Sequence, residues 1–175
     1  ELNRINYKLF KKQYENSVES FDYQTYLMPF SHRGGIQLEH ETVNILPLRN
    51  AGHYDDWIAR LSKLEVLVDA EIEKARMGIE TGTVPPRFLM QKVFEQIKLQ
   101  AYVSPETSPF YRAFESMDRS IDPGEVLAIQ ARAKEVIKNQ VIPAYLKLHQ
   151  FFEDEYLAAC RTSIGIKDIN NGKQY

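Results

Sequence analysis

Cysteine is nearly absent from this chain. Cys160 is the only one among 175 residues, so no internal disulfide can form and a disulfide scaffold is excluded. A lone cysteine at the apolar side of a helix end reads as a small buried residue rather than a nucleophile. Histidine is sparse too: His32, His40, His53 and His149 are the full set. A zinc site needs three or four ligands, often two on one helix face. His40-Glu41 lacks a second His four residues on, so HExxH is missing. His149 and Glu153 share a helix face, but they supply two ligands at most. No apolar stretch approaches the ~18–20 residues needed to span a bilayer. Neither charge sign dominates: 22 basic against 24 acidic residues leave a net charge of −2, and no basic stripe calls for nucleic acid. The Gly34-Gly35 pair has no Lys-Ser/Thr after it, so it reads as a turn with positive backbone angles, not a phosphate loop. Ser163 lacks the flanking glycines of a nucleophile elbow. Glu153, Asp154 and Glu155 are consecutive, so on a helix they point in different directions and form no carboxylate pair.

What is present is a core. Hydrophobic residues make up 43% and aromatics 11%, enough for one globular domain over 1–175. The chain opens on Glu1 rather than Met. A removed leader or an internal start both fit, and with them periplasmic or lipoprotein export.

The spacing predicts an all-α bundle of four or five helices. Residues 2–20 form the first, with Leu2, Ile5, Leu9 and Phe10 at three- and four-residue steps. Lys8, Lys11 and Lys12 mark its solvated face. Residues 22–49 read as an extended arm or small hairpin, with Ile36–Ile45 as a short strand. Trp57, Leu61, Leu64, Val68, Ile72, Ala75 and Ile79 then define one face of a second helix over six turns. Asn50 is its N-cap, Asp55 and Asp56 sit near its positive end, and Gly82 stops it. Pro85-Pro86 restart a third helix, driven into the core by Phe88, Leu89, Val93 and Ile97. Residues 103–122 form a loop in which Phe110, Tyr111 and Phe114 pack locally. Asp122-Pro123-Gly124-Glu125 caps a last helix of nearly forty residues, about 55 Å long, which Pro143 kinks. Residues 166–175 form a turn-rich mobile tail.

Five stretches occur in a specific order: Leu46-Pro47-Leu48-Arg49, Tyr54-Asp55-Asp56-Trp57, Gly82-Thr83-Val84-Pro85-Pro86-Arg87, Ile142-Pro143-Ala144-Tyr145 and Arg161-Thr162-Ser163-Ile164-Gly165. In this order the chain resembles the bacterial family called domain of unknown function 885, from Tyr7 to Tyr175. The resemblance implies a helical fold like that of zinc peptidases, in which the Glu of HExxH activates a zinc-bound water against a peptide carbonyl. Those residues lie downstream of the region matched here. It therefore implies that this chain is the N-terminal and middle part of a larger enzyme. That part contributes scaffold and one wall of a peptide cleft, and the sequence continues past Gly172-Lys173-Gln174-Tyr175 into a catalytic half. No catalytic or metal-binding residue is expected here, and zinc belongs to the full-length protein. Arg49, Arg87, Arg112 and Arg161 flank element boundaries, where an arginine pairs with a substrate carboxylate or caps a helix end. Arg161 is the candidate for substrate contact. A stand-alone helical module that binds a protein or peptide is the alternative, using aromatics such as Tyr23, Tyr26, Phe30, Phe110 and Tyr111. A missing half would also leave apolar area bare. Phe151 and Phe152 point about 100° apart, so one of them, or Tyr156, is expected to face outward and pair the chain with itself.

Overall fold

A computed structural model describes residues 2–169, 172 and 173. Among these the fold is all-α, without strands. Six α-helices have ten residues or more: α1 (Leu2–Glu19), α2 (Ala51–Leu61), α3 (Leu64–Thr81), α4 (Arg87–Ala101), α6 (Pro123–Val136) and α7 (Ile142–Phe151). Two single turns, α5 (Arg112–Glu115) and α8 (Leu157–Ala159), complete the set. α7 lies between α3 and α4, and α2 packs beside α6. Val68, Ile72, Val93, Ile97, Tyr145, Leu148 and Phe152 fill the space between them. Fully burying a side chain of this size contributes roughly 1.5–3 kcal/mol.

The expected second helix is two helices. Its apolar stripe runs on through Leu61 and Leu64, but the backbone turns at Ser62-Lys63, where Ser62 N–H donates to the Ile58 carbonyl (2.9 Å) and Lys63 N–H to that of Arg60 (3.0 Å). The stripe is continuous because both pieces face one core. The axis breaks because α2 lies on α6 while α3 lies on α7. Asn50 caps α2 by accepting from His53 N–H at 3.0 Å. Asp55 lies outside the first turn and pairs with Arg132 of α6.

The arm is helical, not extended. Residues 36–45 form a ten-residue 3₁₀ segment, preceded by shorter 3₁₀ turns at Ser20–Tyr23 and Thr25–Leu27. The only hairpin-like feature among the described residues is an isolated bridge between Ser31 and Gly34. Gly35 has φ of 123°, whereas Gly34 carries no positive φ. In the third expected helix Val93 and Ile97 are buried, but Phe88 is half exposed at the start of α4. Phe110 and Phe114 join the main core rather than packing only locally, through ring contacts with Tyr145 (5.6 Å) and Tyr54 (5.8 Å).

Asp122 caps α6 by accepting from the N–H groups of Gly124 and Glu125. From Pro123 to Ala159 the chain stays helical, with π-helical turns at Ile137–Val141 and Phe152–Tyr156. The first precedes Pro143, whose ring crowds the carbonyl one turn back in an α-helix. Widening that turn, with Ile142 N–H donating to the Ile137 carbonyl, accommodates the proline without ending the helix. The outward aromatic expected on this helix does not occur: Phe151, Phe152 and Tyr156 are 4%, 0% and 0% exposed. α7 has neighbours on two sides, so its buried arc is wide. Phe152 meets Phe30 at 4.9 Å, and Phe151 lies under the Arg76 guanidinium. The bare apolar surface is on α1 instead, where no residue is buried.

The expected mobile tail falls partly on residues 170, 171, 174 and 175, outside the described residues, as does the end of the Gly172–Tyr175 continuation point. Its described part makes a 3₁₀ turn at Ile166–Asp168 and buries Ile169.

Candidate functional site

Two of the motif stretches, more than seventy residues apart, meet in space. α3 ends at Gly82, whose φ of 71° is left-handed, and Thr83 N–H donates to the Gly78 carbonyl at 2.8 Å. Pro85 and Pro86 cannot donate from nitrogen, so they carry the chain on extended. Pro86 then bridges Arg161 in parallel, and Arg87 N–H donates to the Arg161 carbonyl at 2.7 Å. The side chains reciprocate. Arg161 Nε donates to the Val84 carbonyl (3.0 Å), and its Nη1 to the carbonyls of Ser163 (2.9 Å) and Gly165 (2.6 Å). Arg87 Nη2 donates to the Ala158 carbonyl at 2.7 Å, at the end of the last helical turn. Charged donors on free carbonyls at a helix C-terminus are favourable both as hydrogen bonds and against the dipole. Arg161, the candidate for substrate contact, thus holds its own loop and the proline segment together.

Cys160 sits inside this latch, 2% exposed. Burial pushes its thiol up to about 12, so it stays protonated at neutral pH and is a poor nucleophile. Gly78 explains how the latch closes on the arm. A Cβ there would stand 2.6 Å from the Leu27 carbonyl oxygen and 2.8 Å from that of Thr83.

The histidines are dispersed. His53 Nδ1 accepts from Arg49 N–H at 3.2 Å, a helix-entry role. The His32 carbonyl accepts from Gln96 Nε2. His40 Nδ1 accepts from Gln100 Nε2 at 3.1 Å, and burial holds its pKa below the ordinary histidine value. His149 stacks on Phe94 (4.5 Å), with the Tyr102 hydroxyl 3.3 Å and Glu153 3.8 Å from its Nδ1. The Nε2 atom of His149 is buried without a partner. No group of three or more His, Cys, Asp or Glu among the described residues is placed to hold a metal ion. The donor set of the described residues therefore does not fit zinc.

A second feature joins the first two motif stretches. Leu46, Pro47, Leu48 and Trp57 line a cleft of about 370 Å³, with His53, Asp56 and Arg60 on its walls. Arg60 is also tied to Glu39 of the arm, Nε at 2.9 Å and Nη2 at 2.6 Å.

A buried amide ladder is absent from the sequence reading. Gln37 Nε2 donates to the Ser31 carbonyl at 2.7 Å and lies 3.4 Å from Gln96 Oε1; one turn on, Gln100 reaches His40. Gln37 and Gln100 are 0% and 2% exposed. The readable signal was Gln100 itself, which continues the Val93, Ile97 stripe at the next core step.

The chain belongs to DUF885. The model of this family, described as bacterial protein of unknown function, matches residues 1–175. No curated protein and no solved structure matches the chain. In this DUF885 chain the first two motif stretches line the cleft, the Gly82–Arg87 and Arg161–Gly165 stretches form the latch, and Ile142–Tyr145 belongs to α7.

Proposed function

We propose that this DUF885 chain is the helical scaffold part of a zinc-dependent peptidase, with HExxH and the metal carried by residues outside 1–175. The observation that carries the reading is the latch: the Gly82–Arg87 and Arg161–Gly165 stretches of the family resemblance are spent on each other, as support and not as chemistry. In this reading the catalytic half is the chain's partner and a peptide its substrate. The latch fixes the path of the chain after α8, and Arg161 acts there as a positioning residue. The test is hydrolysis of a mixed peptide library by the 175-residue chain and by the longest natural chain that contains it. The expected result is no cleavage by the first and chelator-sensitive cleavage by the second. Peptide cleavage by the 175-residue chain, or a longer chain without HExxH, overturns the proposal.

A second reading, a helical module that binds protein or peptide, is favoured by the Leu46–Arg60 cleft with its tryptophan wall. It predicts that apolar peptides bind the chain in isothermal titration calorimetry and that Leu48→Asp abolishes the binding.

A further inference from the structure

α1 carries an apolar seam that no described part of the chain buries. Tyr7, Phe10, Tyr14 and Val18 are 65%, 60%, 58% and 70% exposed. At ~100° per residue they fall within an arc of about 80°, which makes one seam. They form an open apolar face, with Lys11, Glu15, Glu19 and Asp22 along its edge. The charges of α1 are ordered in two ways. Around the helix, Arg4, Lys8, Lys11, Lys12, Glu15 and Glu19 share a single arc of about 100° directly beside the seam. Along the helix they are segregated: the four basic residues precede the two acidic ones, and Asp22 follows.

This pattern is complementary to itself in one orientation. When two helices pair antiparallel about a two-fold axis, residues on the same flank of the two seams face each other. Centred near Gln13, the pairing sets Lys11 against Glu15 of the second copy and Arg4 against Asp22. Lys8 lies near Glu19, and the aromatic seams interdigitate. Parallel pairing sets the charged flank of each helix against the uncharged flank of the other, with Asn6, Gln13 and Ser17, and leaves the charges without partners. The acidic second half also repels an anionic bilayer.

We propose that α1 is a dimerisation helix that pairs antiparallel with α1 of a second copy of this chain. The inference does not rest on the peptidase reading. Light scattering and sedimentation of the 175-residue chain are expected to show a dimer that loosens as salt is raised. Tyr14→Glu is expected to give a monomer, whereas Leu9→Glu, on the far side of the charged arc, leaves the dimer intact. Two charge variants complete the test. Lys8→Glu/Lys11→Glu and Glu15→Lys/Glu19→Lys each weaken self-association by at least about tenfold, and mixing them restores a one-to-one pair. Circular dichroism confirms that each variant keeps its helix content. A monomer at 100 μM protein (taken as about the upper working concentration), a dimer indifferent to both charge variants, or a monomer that binds anionic vesicles overturns the proposal.

Discussion

The Tyr145 hydroxyl donates to the Ile36 carbonyl at 2.5 Å, across 109 positions of sequence, inside the core. Tyr145 is 0% exposed and the bond it makes is buried. The bond ties the first residue of the 3₁₀ arm to the central helix. Burial of the phenol, with Glu39 nearby, pushes its pKa far up and keeps it a donor. Tyr145→Phe is expected to cost about 1–3 kcal/mol, the penalty for a buried carbonyl left unpaired. Urea unfolding measures it, and hydrogen exchange is expected to rise at residues 36–45 before it rises in α7.

The arm also contains a titration. His40 in the folded chain has a pKa below its unfolded value, chiefly through burial, with Arg112 adding to the effect and Glu41 opposing it. The unfolded chain then binds more protons, so the His40 contribution is fully present above the unfolded pKa. It is lost as pH falls from there through the folded pKa. Urea midpoints of the wild type are expected to drop over this acid range. His40→Gln is expected to flatten that part of the profile, and an unchanged profile contradicts the assignment.

Gly78→Ala tests the crossing of the arm over α3. The new methyl would meet two backbone carbonyls, neither of which is a flexible end. Overpacking of this kind costs about 1–3 kcal/mol or more. The expected outcome is a lower melting temperature with early loss of the arm, read by limited proteolysis near residues 24–28.

Arg161→Lys tests the latch. A lysine keeps the charge but cannot reproduce three directed bonds from a planar fork. The expected cost is about 1–3 kcal/mol, with faster proteolysis at residues 162–165. Arg161→Ala is expected to cost more. Equal stability for all three proteins would remove the latch as a structural element.

Phe152→Ala separates core from surface. It removes a fully buried ring packed on Phe30, Phe94 and Tyr156, at an expected 3–5 kcal/mol. The measurement is chemical denaturation, and a change below about 1 kcal/mol counts against the packing described.

The sequence by itself determined the all-α class, the Asn50 and Asp122 caps, the Gly82 stop, the proline restart before α4 and the family. These are local matters. A side chain that accepts from an N–H two or three residues away, a left-handed glycine or a 3.6-residue stripe acts within one or two turns, and leaves its mark in the order of residues. Tertiary structure decided the rest. Ser62-Lys63 break an unbroken stripe because two neighbours pull α2 and α3 along different axes. Residues 36–45 wind into a 3₁₀ segment because Gln37, His40 and the Ile36 carbonyl find partners on α4 and α7. Phe151 and Phe152 both bury because α7 is flanked by α3 and α4, while the regular stripe of α1 stays in solvent. Arg161 looks free in the sequence, yet is committed to carbonyls of Val84, Ser163 and Gly165. Periodicity says which residues seek cover, but whether cover exists depends on what folds back against them, and that is set by the whole chain.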